Sequence, residues 1–300
     1  MSLRKAAVQL PVILGLHFVC MGFGAGFENV RIQAGHVAGI VYMLQGAGGN
    51  IGVSAGTDGI FLIDAQFAPL ADKIERAVER IKPGPIKFLL NTHWHQDHTD
   101  GNQVFGWKVP ILSHENVRAR LRSRQTRGKK IFEPAPEQSW PILTYQDSIK
   151  LYFNSEEIRI RHFPVGHTDG DSIVFFSSSN VIHMGDHFFN GKFPFVDLDS
   201  GGSLDGYTNN VLSVIESAKS NVKIIPGHGP LATLGDLKLF YQMLLETTGL
   251  VKQRLAKGMR DQEILKAGLP EKWNSWGTGF ISTSKWLETI TGSLRSTAHH

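Results

Sequence analysis

Cysteine is almost missing from this chain: Cys20 is the only one in 300 residues. No intrachain disulfide can form, and once the first residues are removed no thiolate is left to bind a metal. A large excess of one charge sign is also missing. Lys and Arg number 31 against 27 Asp and Glu, giving a formal charge of +4 and a pI near 9.1. This mild basicity favours anionic small molecules and gives little reason to expect a nucleic-acid partner. An uninterrupted apolar span is missing as well. The most apolar stretch, Ala6 to Phe23, is broken by Gln9, Pro11 and His17, which argues against a membrane anchor. With Arg4 and Lys5 before it and Gly22, Gly24, Ala25 and Gly26 after it, it reads as a secretory signal peptide over residues 1–26. A mature chain without cysteine suits the periplasm of a Gram-negative bacterium, where stray disulfides are a hazard. Residues 27–300 are expected to form one domain with a C-terminal helical extension. No stable membrane association is expected after cleavage, and the oligomeric state is left open.

Histidine is plentiful, with 13 in the chain. Asn91-Thr92-His93-Trp94-His95-Gln96-Asp97-His98 places three histidines and an aspartate within six residues. Lys87 to Leu90 before it reads as a buried strand, and Thr99-Asp100-Gly101 after it as a turn. The cluster therefore sits at the C-terminal mouth of a strand, where open α/β sheets place ligands. Imidazole and carboxylate suit zinc, which takes about four donors. One stretch is unlikely to aim all four donors at a single ion, because adjacent Asp97 and His98 point different ways, as do His93 and His95 relative to Trp94, so the spacing suggests donors divided between two neighbouring metals.

The remaining chain reads as strands then helices, twice over. Strands are expected at 39–44, 50–54, 59–64, 87–90 and 109–113, with a helix over 70–81 that Lys82-Pro83-Gly84 stops. A second set of strands falls at 148–153, 157–163, 172–176, 180–183 and 222–225, with helices around 211–218 and 237–244. No linker separates the halves. The pattern suggests two sheets packed face to face with helices outside. The arginine-rich stretch from Arg118 to Lys130 reads as a solvated helix end running into a loop. The second half supplies donors in glycine-bearing turns beyond apolar strands: Gly166-His167-Thr168-Asp169-Gly170-Asp171, Gly185-Asp186-His187 and Gly227-His228-Gly229. Glycine there lets the backbone bend and approach a ligand closely.

The ordered set His93-x-His95-x-Asp97-His98, Gly166-His167, Gly185-Asp186 and Gly227-His228 resembles the metallo-β-lactamase-fold hydrolase superfamily, over about residues 30 to 232. The resemblance implies a four-layer αβ/βα sandwich, an α/β fold, with two Zn2+ at one edge. His93, His95 and His167 would hold the first, Asp97, His98 and His228 the second, and Asp186 would bridge them. Asp97 would also orient or shuttle a proton. One large β-lactamase subclass has cysteine where this chain has Asp186, as glyoxalase II-like thioesterases do. The subclass lacking that cysteine usually has serine near this position. Asp169 and Asp171 stand where a proline and a small residue or histidine are usual. They are read as acceptors behind a ligand imidazole or as solvated turn carboxylates.

Around the donors, Phe188, Phe189, Phe193 and Phe195 could wall a pocket or fill the core. Lys192 among them is a candidate for a substrate carboxylate. His187 is read as supporting the site or facing substrate, and His183 as a core residue. Tyr42, Met43 and Gly46–Gly49 could form a flap, and Ser203 an N-cap. Trp273, Trp276, Phe280 and Trp286 suggest a packed C-terminal helix or a self-association face. The expected chemistry is attack by a metal-bridging hydroxide on a carbonyl of a small cyclic amide or ester, β-lactamase-like, since two dications lower the pKa of water from 15.7 toward about 7. A glyoxalase II-like thioesterase and a lactonase are the alternatives. A single-iron sulfur dioxygenase and a non-catalytic zinc-binding protein stand behind them, because no donor is missing.

Overall fold

The computed structural model describes residues 26–297, so the expected leader falls almost wholly outside the described residues. The first half runs β1 (Gln33–Ala38), β2 (Val41–Gln45), β3 (Ile51–Gly56), β4 (Gly59–Ile63), α1 (Ala71–Ile81), β5 (Ile86–Leu90), α2 (Gln96–Thr99) and α3 (Asn102–Phe105). It continues through β6 (Ile111–His114), α4 (Glu115–Leu121), β7 (Gln125–Arg127), β8 (Lys130–Phe132) and β9 (Leu143–Tyr145). β1 to β4 pair antiparallel, and β5, β6 and β9 then add in parallel to complete a seven-stranded sheet. The second half holds β10 (Ser148–Phe153), β11 (Glu156–His162), β12 (Ser172–Phe176), β13 (Val181–His183), α5 (Leu204–Ser217), β14 (Lys223–Ile225) and β15 (Ala232–Thr233). These strands form a six-stranded sheet in sequence order, in which only β13 and β14 pair parallel. The chain then forms α6 (Leu234–Ala256), α7 (Asp261–Ala267), a 3-10 turn at Glu271–Thr278 and α8 (Thr283–Thr297).

The expected sandwich follows from strand alternation. In β4, Ile60 and Leu62 join a cluster with Ile74, Ala77 and Val78 of α1, whereas Phe61 and Ile63 point the other way. They meet Ile158, Ile160, Val174 and Phe176 of the second sheet. In β14, Ile224 joins the outer cluster with α5 and α6, and Ile225 the layer between the sheets. Successive side chains on a strand face opposite ways, so one apolar run feeds two layers. Helices therefore cover both outer faces. Among the described residues no helix is long and apolar enough to cross a membrane.

Two local expectations change. The stretch after α4 is not a plain loop: Gly128, at φ +57, turns it into the β7–β8 hairpin. Its arginines are not simply solvated either. Arg120 makes a two-pronged ion pair with Asp169 at 2.7 and 2.8 Å, and Arg127 lies over the rings of Phe132 and Phe195. The 46–49 tip is also no free flap. Gly49 N donates to Asp97 O at 3.1 Å, Gln66 Nε2 donates to Gly49 O, and Met43 is buried between the sheets. Ser203 does cap α5, accepting from Gly206 N. Trp273, Trp276 and Trp286 pack into the outer core of the second sheet, while Phe280 is left exposed.

Candidate metal centre

The donors converge because they all leave the carboxyl ends of strands. β5 delivers His93 to His98, β13 delivers Asp186 in a 3-10 turn, and β14 delivers His228. Next to them the two halves are stitched together: Asn50 N donates to Gly227 O at 2.7 Å, and Asn50 Nδ2 to Pro226 O at 2.9 Å. Ser172 N donates to Thr92 O at 2.8 Å.

Two groups of donors result. His93, His95, His167 and Asp186 form one, and Asp97, His98 and His228 the other, each with its ligand atoms within 4.8 Å of one another. Asp186 spans them. Its Oδ2 lies 3.4 Å from His167 Nε2 and 3.7 Å from His93 Nε2, while its Oδ1 lies 3.1 Å from His98 Nε2 and 3.4 Å from His228 Nε2. His228 Nε2 is 3.3 Å from Asp97 Oδ2. The first group is buried, His95 being 4% exposed and His167 fully covered, whereas the Asp97 and His228 side chains are 33% and 30% exposed. The centre thus opens to solvent on the side of Asp97 and His228.

The residues fit a cation. His93 Nε2 is buried without a hydrogen-bond partner, which is costly unless an ion takes up its lone pair. The other ring nitrogens are held from behind, and this fixes which atom faces inward. His98 Nδ1 lies 2.7 Å from Asp64 Oδ2, His95 Nε2 2.8 Å from Asp197 Oδ2, and His167 Nδ1 2.7 Å from Phe195 O. His93 Nδ1 is 3.0 Å from Thr92 Oγ1. His95 therefore presents Nδ1, 2.9 Å from His167 Nε2.

Asp64 and Asp197 are the supporting residues that sequence reasoning missed. Asp64 ends a buried strand at φ +68 and also accepts from Thr92 N and Oγ1. A carboxylate at a strand mouth was a usable signal. Asp197 follows an irregular segment and gave none. Asp169 and Asp171 take neither expected role. Asp169 pairs with Arg120, and buried Asp171 closes the His167 turn by accepting from Thr168 N and Oγ1 at 2.8 and 2.6 Å. His187 is buried, with Nε2 3.1 Å from Asn210 Nδ2 and its ring stacked on Tyr207, behind the ligands rather than at the mouth. His183 is likewise a core residue, its Nε2 3.2 Å from Asn50 O. Phe189 stacks on His228 at 4.9 Å, and Lys192 donates to Thr278 Oγ1 at 2.8 Å.

The electrostatics differ between the groups. Burial holds His93 well below the ordinary histidine value and His167 down to about 4. Burial acts the same way on His98 and His228, but the facing carboxylates outweigh it. Asp186 and Asp64 lift His98 well above its usual value, and Asp186 and Asp97 lift His228 to about 9. Both are thus protonated at pH 7 in the metal-free chain. The His228 ion pairs contribute stability that is fully present below the unfolded value near 6.5 and lost as pH rises through about 9, and those of His98 follow the same sign. Filling the Asp97–His98–His228 group must expel these protons, whereas His93 and His167 are already neutral. Zinc titrations at pH 7 in two buffers of different ionisation enthalpy should show more proton release for the second equivalent than for the first. Equal, negligible release at both steps would show this assignment to be wrong.

The comparisons agree with this geometry. The sequence pattern of the metallo-beta-lactamase superfamily matches residues 44–228. Among solved structures, the metallo-beta-lactamase from Pontibacter korlensis superposes with a TM-score of 0.60 at 14% identity, over 72% of this chain and 99% of that one. The DIM-1 metallo-beta-lactamase gives 0.58 at 19%, over 73% and 99%. The inverting sec-alkylsulfatase Pisa1 from Pseudomonas sp. gives 0.64 at 14%, over 90% of this chain and 51% of that one. Identities this low show a shared fold, and the family pattern ends on His228, the last of the assembled donors. The chain belongs to the metallo-beta-lactamase superfamily, and its paired His/Asp groups form the metal-binding site of a metallo-hydrolase.

Proposed function

We propose that the protein is an exported dinuclear zinc hydrolase that cleaves the C–N or C–O bond at the carbonyl of a small cyclic amide or ester. One observation carries this reading: the two oxygens of Asp186 face two different sets of imidazoles. A carboxylate placed this way is suited to hold two cations close together. Such ions would acidify a water from a pKa of 15.7 toward about 7 and polarise a carbonyl oxygen. The chain does the rest. Asp64, Asp197 and the Phe195 carbonyl fix the imidazoles. Phe189 covers one face of His228. Asp97, on the open side, is held below the usual carboxylate range: burial opposes this, and His98 and the hydrogen bond from His228 outweigh it. It is therefore an anion at the working pH, placed to accept and return a proton at Oδ2.

A glyoxalase II-like thioesterase is the second reading, favoured by a carboxylate at position 186 and disfavoured by export. Metal analysis of the purified chain, followed by turnover of a β-lactam, a lactone and a thioester, tests both. The expected result is about two zinc per chain and a cyclic substrate preferred. A single iron per chain with oxygen uptake on a persulfide would overturn the hydrolase reading.

A further inference from the structure

The metal centre is bordered by one wall, the segment that follows Asp186. Phe189 stacks on His228, and Phe195 reaches the rings of both His95 and His167, at 5.7 and 5.9 Å. Phe195 is only half-buried, so the wall does not end in the core. The ring of Phe280 stands edge-on to Phe195 at 6.3 Å and is 88% exposed. An exposed phenylalanine alone is ordinary. This one is set in place from several directions. Phe193 N donates to Trp276 O at 3.2 Å, Phe193 stacks on Trp286, and Lys192 Nζ donates to Thr278 Oγ1. Gly279 packs so closely on Lys192 that a Cβ there would come within 3.0 Å of its Cδ. The C-terminal extension is thus docked onto the wall beside the metal centre, and it presents an uncovered aromatic ring there.

We propose that Phe280, with Phe195, is a substrate-recognition surface, and that the substrate carries an aryl or multi-carbon alkyl group next to the bond that reacts. This rests on the hydrolase reading of the same site, which it narrows to substrates carrying such an apolar group beside the Arg127 guanidinium, 5.3 Å over the Phe195 ring. The reacting group enters on the open side, by Asp97 and His228. The apolar group lies across Phe195 toward Phe280, and its burial there covers a ring that is otherwise wet. The extension, which lies beyond the family pattern, thereby acquires a role in specificity.

The test is binding rather than turnover. The probes are acetate and 4-phenylbutyrate, titrated into the zinc-loaded full chain. Both offer the same carboxylate to the centre, and only one carries an aryl tail. Wild-type protein should bind 4-phenylbutyrate more tightly than acetate. Phe280→Ala should reduce that preference about five- to tenfold, the range expected for one lost aromatic contact with its buried area. Acetate affinity should be unchanged, and Phe280→Leu should restore part of the preference. Because the side chain is exposed, the variants should keep the wild-type Tm. A preference that survives Phe280→Ala, or no preference in the wild type, overturns the proposal. Absence of turnover on every ester and amide with the tail preference intact would instead count against the hydrolase reading.

Discussion

If the proposed two-zinc hydrolase reading holds, Asp186→Asn is expected to lower retained zinc from about two equivalents to one or fewer, with hydrolysis lost along with the metal. The reason lies in its position. Its buried Oδ1 lies 3.1 Å from His98 Nε2 and 3.4 Å from His228 Nε2, and its Oδ2 faces the other imidazoles. Asparagine keeps the shape but replaces one oxygen by an NH2 group and removes the negative charge shared by both groups. Loss of a residue merely supporting a metal ligand costs roughly 10–100-fold in affinity, so loss of the shared ligand itself should exceed about 100-fold. Competition with a chromophoric chelator would measure it, with elemental analysis for stoichiometry. A variant that keeps wild-type affinity for both equivalents would refute the bridging role.

Gly227→Ala is expected to do comparable damage without touching a donor. A Cβ at position 227 would lie 2.1 Å from Asp186 Oδ1 and 2.6 Å from Gly185 O. Neither can retreat easily, because Gly227 N donates to Gly185 O at 2.7 Å and to Phe188 O at 3.0 Å, pinning the same turn. Overpacking of this kind costs about 1–3 kcal/mol in stability, and relief by shifting Asp186 would pull its carboxylate from between the imidazoles. The expected outcome is a folded protein with a lower Tm and less bound metal. Gly249→Ala is the matched control: it lies within α6, has nothing within 4 Å of the added Cβ, and should be neutral or stabilising by up to about 1 kcal/mol. If both variants retained wild-type metal content, the close approach at Gly227 would have no functional meaning.

The site was readable in advance to an unusual depth because its donors follow local rules. His93 to His98 sit within one turn after a buried strand. Asp186 and His228 each follow a glycine after another, so strand ends and glycines located them without knowledge of the packing. The supporting shell was not readable in the same way. Asp197 is 102 positions from the histidine it orients, and Asp64 is 34 from His98. Nothing in the local pattern of either names its partner. The arginine-rich stretch misled for a related reason. Alternating charges look solvated along the chain, yet Arg120 meets Asp169 and Arg127 meets Phe195 only after the halves dock.

What the sequence by itself determined is the chemistry: histidine and carboxylate donors, no cysteine beyond Cys20, and strand mouths to present them. Two-fold alternation along each strand also determined that two sheets would share an apolar layer, because a side chain's face depends only on its register. The division of the donors across Asp186 was already implied by the family resemblance; the tertiary structure alone decided which ring nitrogens face inward, and that the extension brings Phe280 to the wall of the centre. Those outcomes depend on distances between residues far apart in the chain. Such distances exist only once the burial of both sheets holds the halves together.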